Sequence, residues 1–315
     1  MSVQVQQEQT RAPGRVIHVP RRKKLRWRRW GQAVFVLPVV IYLVLMFAYP
    51  VTFNLFLSFQ NYDLRSIVTG VSQWVGLQNF QQAITSPEFQ IAALNSAIFT
   101  VTSMVIQLVI GMALALFFYK KFPLSGAIRA VLILPWLVPS IVATTAWRFM
   151  LREPNGFINQ AFHLFGLPTV RWLTTPSMAL VSVIIVNIWI GIAFNMVLLH
   201  SGLQSIPAER LEAATVDGAG YWRRVYHVML PALRPVMAIV FTLGFVYTLK
   251  QFDIVWTLTQ GGPGNGSQLL STWSYTQAFV HNQYGSGAAI IDFLFVASTV
   301  IIILYSIWTG RRARA

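Results

Sequence analysis

Asn187, Lys250, Gln251, Asp253 and Asp292 lie inside or at the ends of strongly apolar stretches of this chain. An amide or a charge removed from water is costly unless it finds a partner or serves a function. The two amides each offer a donor and an acceptor, which suits a hydroxyl-bearing solute better than a carboxylate. Their structural alternative is hydrogen bonding between helices. Lys250 and Asp253 are three apart, so on one helix they can pair with each other. Asp253 and Asp292 fall near the ends of apolar stretches, which is equally compatible with interfacial or salt-bridged roles.

Other chemistry is missing. With no cysteine, disulfides, thiol nucleophiles and Cys-based metal sites are excluded. There is no Gly-Lys pair, so no phosphate-binding GxxxxGK[ST] loop exists. HExxH and GxSxG are absent, and the histidines at 18, 163, 200, 227 and 281 have no ligand spacing. No metal site, cofactor site or catalytic set follows. No chain of buried carboxylates suggests proton coupling. A membrane enzyme and an autonomous ion-coupled carrier or channel remain as alternative classes.

These residues must be positioned by membrane helices. Of 315 residues, 55% are hydrophobic and only 10% charged, against roughly a quarter charged in soluble domains. A spanning helix needs about 20 apolar residues. Six stretches qualify, near 33–57, 91–118, 127–150, 177–200, 235–258 and 287–309. The expected fold is an all-α membrane protein of six transmembrane helices, the third kinked by Pro135 and Pro139. Nineteen of the 24 basic residues fall before the first span, in the second and fourth connections, and after the last span. Only Arg65, Arg148, Arg152 and Arg171 occupy the opposite loops. The positive-inside rule then puts both termini in the cytoplasm, as six spans require. The run RRKKLRWRRW could bind nucleic acid or lipid, but its place directly before a span favours topology. The expected organisation is a basic cytoplasmic tail (1–32), a membrane domain (33–310) and a short basic tail (311–315).

The cytoplasmic loop 201–234 is too structured for a passive connection. It reads as two short helices, with Ser205 a capping candidate and Pro207 in a first turn. Glu209 and Glu212 stand near the positive end of the helix dipole. Ala208, Leu211 and Thr215 form a modest stripe. Gly218 is a plausible C′ residue with positive φ. The second helix places Trp222, Val225, Tyr226 and Met229 on one face and ends at Pro231.

Here the residues match a known pattern. Glu212-Ala213-Ala214, Gly218, Val228 and Leu230-Pro231 carry the EAA spacing of membrane subunits of binding-protein-dependent ABC importers, with Val where Ile is usual. The chain resembles the carbohydrate branch of that family, specifically the first permease of a heteromeric pair. AYPVTFNLFLSFQNYD, WVGLQNF, ILPWLVPS, NIWIGIAFNMVLL and LTQGGPG with YTQAF support the likeness. The resemblance implies an inner-membrane subunit with a second permease subunit, two ATP-binding-cassette ATPase subunits and an extracytoplasmic solute-binding protein as partners. It implies a sugar or related polyol as solute, no nucleic acid and no cofactor. It assigns ATPase coupling to Glu212, Ala213, Ala214, Asp217, Gly218, Leu230 and Pro231. By the same likeness, Trp136, Ser140, Asn187, Gly191, Thr248 and Gln251 line the sugar cavity. Trp136 stands where the maltose-type relative has Tyr, and Gly244 where it has Ser. The 261–264 GGPG run is expected to face the extracytoplasmic side.

Overall fold

The computed structural model describes the backbone of residues 27–314 and the side chains of 35–310. The basic tail up to residue 26 lies outside them, as do the side chains of 311–315. The described residues fall into two compact units, one ending at Val51 and the other beginning at Thr52. The first holds α1 (Trp27–Leu43), with Pro38 inside it, and a wider π turn over Val44–Ala48. As that unit ends, α2 (Tyr49–Ser58) begins.

In the second unit, β1 (Gln60–Asn61) pairs antiparallel with β2 (Gln73–Trp74) around α3 (Leu64–Thr69). Asp63 caps α3. The Ser66 amide donates to its carboxylate at 2.9 Å and holds the carboxyl below its ordinary range. After α4 (Gln78–Thr85) comes α5 (Pro87–Phe117). Pro87 opens α5 where a missing N–H is harmless, and the Ser86 hydroxyl accepts from Phe89 N–H at 3.2 Å. There follow α6 (Ser125–Leu137), α7 (Ser140–Met150), α8 (Phe157–Leu164), α9 (Pro176–Gln204), α10 (Ala208–Val216) and α11 (Tyr221–Arg224). A π turn over Val225–Met229 leads into α12 (Leu230–Ala232), α13 (Arg234–Leu249), α14 (Asp253–Leu258) and α15 (Leu270–Tyr275). After a further π turn, α16 (Tyr284–Arg314) closes the chain.

Among the described residues, five helical runs are long and apolar enough to span a membrane, and the α6–α7 pair makes a sixth if counted as one span. That pair corrects the expectation of a kink: α6 and α7 are separate helices set at 97°. The cause is local. Pro139 follows Val138, which is pushed to extended backbone (ψ 134°) as the residue before a proline. A second expectation is also corrected. Pro231 does not end a helix; helical backbone resumes through α12 into α13. After the wider π turn over Val225–Met229, Pro231 falls in the first turn of the next helix, where its missing N–H is tolerated.

The longest packing is between α5 and α9. Small residues let the backbones close. A Cβ on Gly111 would stand 2.6 Å from that of Asn195, and one on Gly191 would stand 2.3 Å from the Gln107 amide. Two apolar clusters flank this seam. One gathers Phe99, Val183, Val186, Ile254, Val255 and Leu258. The other gathers Ala115, Leu199, Leu203, Val225, Met229 and Leu233 at the base of the 201–234 loop.

Candidate functional site

Two interrupted helical runs meet at their breaks. The α6–α7 break lies at 138–139, and the α13–α14 break at 250–252. Ser140, first residue of α7, donates its hydroxyl to the Asp253 carboxylate, first residue of α14, at 3.1 Å. The helices behind them, α7 and α14, pack on each other. Discontinuous helices of this kind leave backbone polar groups free inside a membrane, which is tolerated only against protein or a water-filled path. Gln251 lies in the second break, half-buried, and its carbonyl accepts from the Ser271 hydroxyl at 2.6 Å. Thr248, three residues earlier, is buried at 4% exposure.

The expected Lys250–Asp253 pair does not form. Asp253 takes Ser140, and the Lys250 ammonium stands 5.0 Å over the Tyr247 ring. The helix turns between them at the break, so i,i+3 spacing no longer places them on one face. From Tyr247 an aromatic row runs to Phe194 (6.2 Å between centroids) and on to Trp136 (5.9 Å). Trp136, Tyr247 and Lys250 are exposed on this chain. Sequence reasoning does not single out Phe194 or Tyr247, because aromatic residues inside spans are ordinary core material.

Asn187 and Gly191 are placed differently from Trp136 and Ser140. They bracket Gln107, whose amide donates to the Asn187 carbonyl at 2.9 Å and fills the space above Gly191. The side-chain nitrogen of Asn187 is buried without a partner. Gln107, an amide in the middle of a 31-residue apolar helix, carries the same sequence signal that marks Asn187. Gly244 lines a small cavity of about 80 Å³ with Gln107, Asn195 and Phe241. Asp292 is buried and accepts from Asn54 at 2.8 Å, a contact between α16 and α2.

The 201–234 loop forms a projecting helix on a fixed base. Glu209, Glu212, Ala213, Val216, Asp217 and Gly218 are exposed, while Leu211 packs on the cluster around Leu203 and Met229. Gly218 has φ +75° and closes a Schellman cap: its N–H reaches Thr215 O at 3.0 Å, and Ala219 N–H reaches Ala214 O at 2.9 Å. Arg224 donates to the Thr215 hydroxyl at 2.9 Å and ties α10 to α11. Leu230 and Pro231 are half-buried at the base. Two local expectations are corrected. Ser205 donates back to Gly202 O at 2.8 Å and so finishes α9, while Pro207 sits at the N-cap of α10. Trp222 and Tyr226 are exposed while Val225 and Met229 are buried, because the π turn rotates the face. Nearby, one Arg129 nitrogen lies 3.3 Å from each ring nitrogen of buried His200, which also contacts Phe118 O at 3.2 Å.

The GGPG run and the residues after it are tied back to the body of the chain. Asn95 donates to the carbonyls of Asn265, Gly266 and Gln268 at 3.1–3.2 Å. The Ser267 hydroxyl reaches Gly262 O at 2.7 Å.

Residues 107–314 match the family model described as the inner-membrane component of binding-protein-dependent transport systems. The chain is 30% identical to the trehalose/maltose transport system permease protein MalF of Thermococcus litoralis, covering 86% of this chain and 91% of that one. It is 28% identical to the diacetylchitobiose uptake system permease protein DasB of Streptomyces coelicolor, over 86% and 82%. Its fold is similar to that of a chain in a bacterial ABC transporter that imports the polysaccharide alginate. The TM-score is 0.80, with 22% identity over 90% of this chain and 96% of that one.

Proposed function

The chain belongs to the inner-membrane components of binding-protein-dependent transport systems, and from that premise we propose that it is one permease half of an ATP-driven importer of a sugar or related polyol. The printed activities of its relatives, trehalose/maltose and diacetylchitobiose uptake, support that solute class. The partners proposed are a second permease subunit, two ATPase subunits and an extracytoplasmic solute-binding protein. The distribution of basic residues supports a cytoplasmic position for both termini.

The observation that carries the reading is α10, a capped helix exposed along one side and packed through Leu211 on the core. Nine residues give a rod of roughly 14 Å, long enough to be gripped. The chain holds no phosphate-binding loop, so the force must reach it through a contact. Movement of α10 would pass into the Leu199–Leu203–Met229–Leu233 cluster and from there to α9 and α13. Those helices carry Asn187 and Gly191, and Thr248 with Gln251 beyond it.

In this reading Trp136, Ser140 and Gln251 face the solute along the junction of the two breaks, with Phe194 and Tyr247 continuing the aromatic surface for C–H faces of a sugar ring. Asn187, Gly191 and Thr248 form the wall behind, ordered by Gln107. Glu212, Ala213, Ala214, Asp217 and Gly218 meet the ATPase, and Leu230 and Pro231 hold the base. The test is uptake by proteoliposomes holding the full complex, with a variant lacking residues 208–219. Loss of ATP-dependent uptake with normal membrane insertion supports the reading; uptake that persists without ATP, or without that segment, overturns it in favour of an autonomous carrier.

A further inference from the structure

The helical stretch from α11 through the following π turn has two sides. Val225 and Met229 are buried in the cluster around Leu203. Tyr221, Trp222, Arg223, Tyr226 and His227 are exposed. The Tyr221 and Trp222 rings lie 5.2 Å apart between centroids, and the Trp222 and Tyr226 rings 6.3 Å apart. The three rings therefore make one continuous outward surface.

A neighbour fixes the level of this surface. The Lys120 ammonium stands 5.6 Å over the Tyr221 ring. Lys120 and Lys121 come just past Phe117, where α5 ends, and α5 is one of the runs long and apolar enough to span a membrane. The aromatic surface thus begins where an apolar span gives way to polar chain. Tyr and Trp concentrate at that level because an amphipathic ring suits the headgroup region of a bilayer.

The charge built into the surface has one sign. No acidic residue occurs between Glu88 and Glu153, or between Asp217 and Asp253, so neither contributing segment contains one. The acids of the loop, Glu209, Glu212 and Asp217, keep their charge, but they stand on α10 or at its end. Arg224 is drawn toward α10 by the Thr215 hydroxyl. Lys120, Lys121 and Arg223 are left as the exposed cations, and no ion pair engages them among the described residues.

We infer that this surface docks on the cytoplasmic leaflet and takes the headgroup phosphate of an anionic phospholipid. Each Lys or Arg close to such a leaflet strengthens the attraction roughly fivefold, and the rings seat the helix among the headgroups. An acidic protein partner would be met by the same cations, but it would not call for three rings level with the end of a span. Because Arg224 ties this stretch to α10, a lipid held here also steadies α10. The inference rests on the cytoplasmic placement of the loop proposed above, and not on the identity of the solute.

The experiment replaces Tyr226 with photoreactive benzoyl-phenylalanine, which keeps a ring at that position, in the complete complex. The complex is held in nanodiscs of phosphatidylcholine with a minority of phosphatidylglycerol. Irradiation should cross-link the chain to lipid, with phosphatidylglycerol enriched roughly fivefold or more over its share of the bilayer. Lys120→Gln combined with Arg223→Gln should bring the captured lipid back toward that share. Arg223→Lys alone should keep the enrichment, and raised salt should reduce it. Capture of lipid in proportion to its share would overturn the inference. So would cross-linking to an ATPase or second permease subunit, or no cross-link, which would put the surface in water. A reporter active only outside the cytoplasm, fused after Gly218, tests the placement separately. Activity there removes the premise; silence there, with any of the overturning cross-linking results, removes this inference alone.

Discussion

Ser140 and Asp253 join the starts of two helices that each follow a break, hydroxyl to carboxylate at 3.1 Å. Both residues begin a helix, and both helices carry buried apolar residues into the shared core. The bond therefore sets how one broken span is placed against the other. Ser140→Ala should lower uptake while leaving the amount of assembled complex unchanged, and Ser140→Thr, which keeps the hydroxyl, should restore most of it. A hydrogen bond to a charged group contributes about 1.5–3 kcal/mol at most, and the exposure of Asp253 puts this one at the low end or below. Equal uptake by the Ala and Thr variants would show that the bond does not position the spans.

Gly191→Ala tests the close approach of α5 and α9. Its Cβ would meet the Gln107 amide at 2.3 Å. Overpacking of this kind costs typically about 1–3 kcal/mol. The purified complex should melt at lower temperature, and Gln107→Ser in the same chain should recover part of the loss by returning the space. An unchanged melting temperature in the single variant would mean that Gln107 swings aside freely.

Much of this was legible in the residues. The apolar runs announce the spans, and the Glu212 to Pro231 spacing announces the projecting loop. Gly218 follows from a helix that must stop where only positive φ completes the cap. The rest depends on neighbours distant in sequence. Pro139 predicts a bend, but not one of 97°, because the angle is set by what α7 meets on α14. Lys250 and Asp253 look like a pair until the helix breaks between them. Gln107 is as visible as Asn187, yet its role is defined by Gly191, 84 positions on, whose missing side chain makes its room.

Gly218→Val should uncouple the chain without unfolding it. The position has open space around it, so the only penalty is φ +75°, about 1–3 kcal/mol of backbone strain for a β-branched residue. That strain frays the end of α10 and misplaces Asp217 and Glu212. Glu212→Lys reverses the exposed charge on the same helix. Both variants should insert normally but recover less ATPase subunit on purification. Wild-type uptake by both would remove α10 from the coupling role.

Topology is open to a direct test. A reporter active only outside the cytoplasm should be active when fused after Gly264 and silent when fused after Gly218. The opposite pattern would reverse the orientation. Activity at both positions would mean that residues 219–264 do not make a net crossing.

The two amides that first mark the chain sit in different settings, and each is expected to act on solute affinity. Gln251 sits in a break, half-buried, with its backbone carbonyl held by Ser271. Its side chain is thus presented by a fixed backbone. Gln251→Leu should weaken apparent solute affinity by roughly two- to tenfold, the effect of one neutral hydrogen bond at about 0.5–1.5 kcal/mol. Asn187 is 7% exposed, and its amide nitrogen has no partner. A buried donor left unsatisfied costs about 1–3 kcal/mol, so a role confined to packing predicts that Asn187→Leu raises the melting temperature and leaves uptake intact. A role in the open path predicts the reverse: stability changes little, and affinity falls as it does for Gln251→Leu. We expect the second outcome, because removing the amide would otherwise improve the protein at no loss. The measurement is uptake against solute concentration at matched expression, beside thermal unfolding of the purified complex. A stabilised Asn187→Leu variant with wild-type kinetics would assign Asn187 to the α5–α9 seam alone.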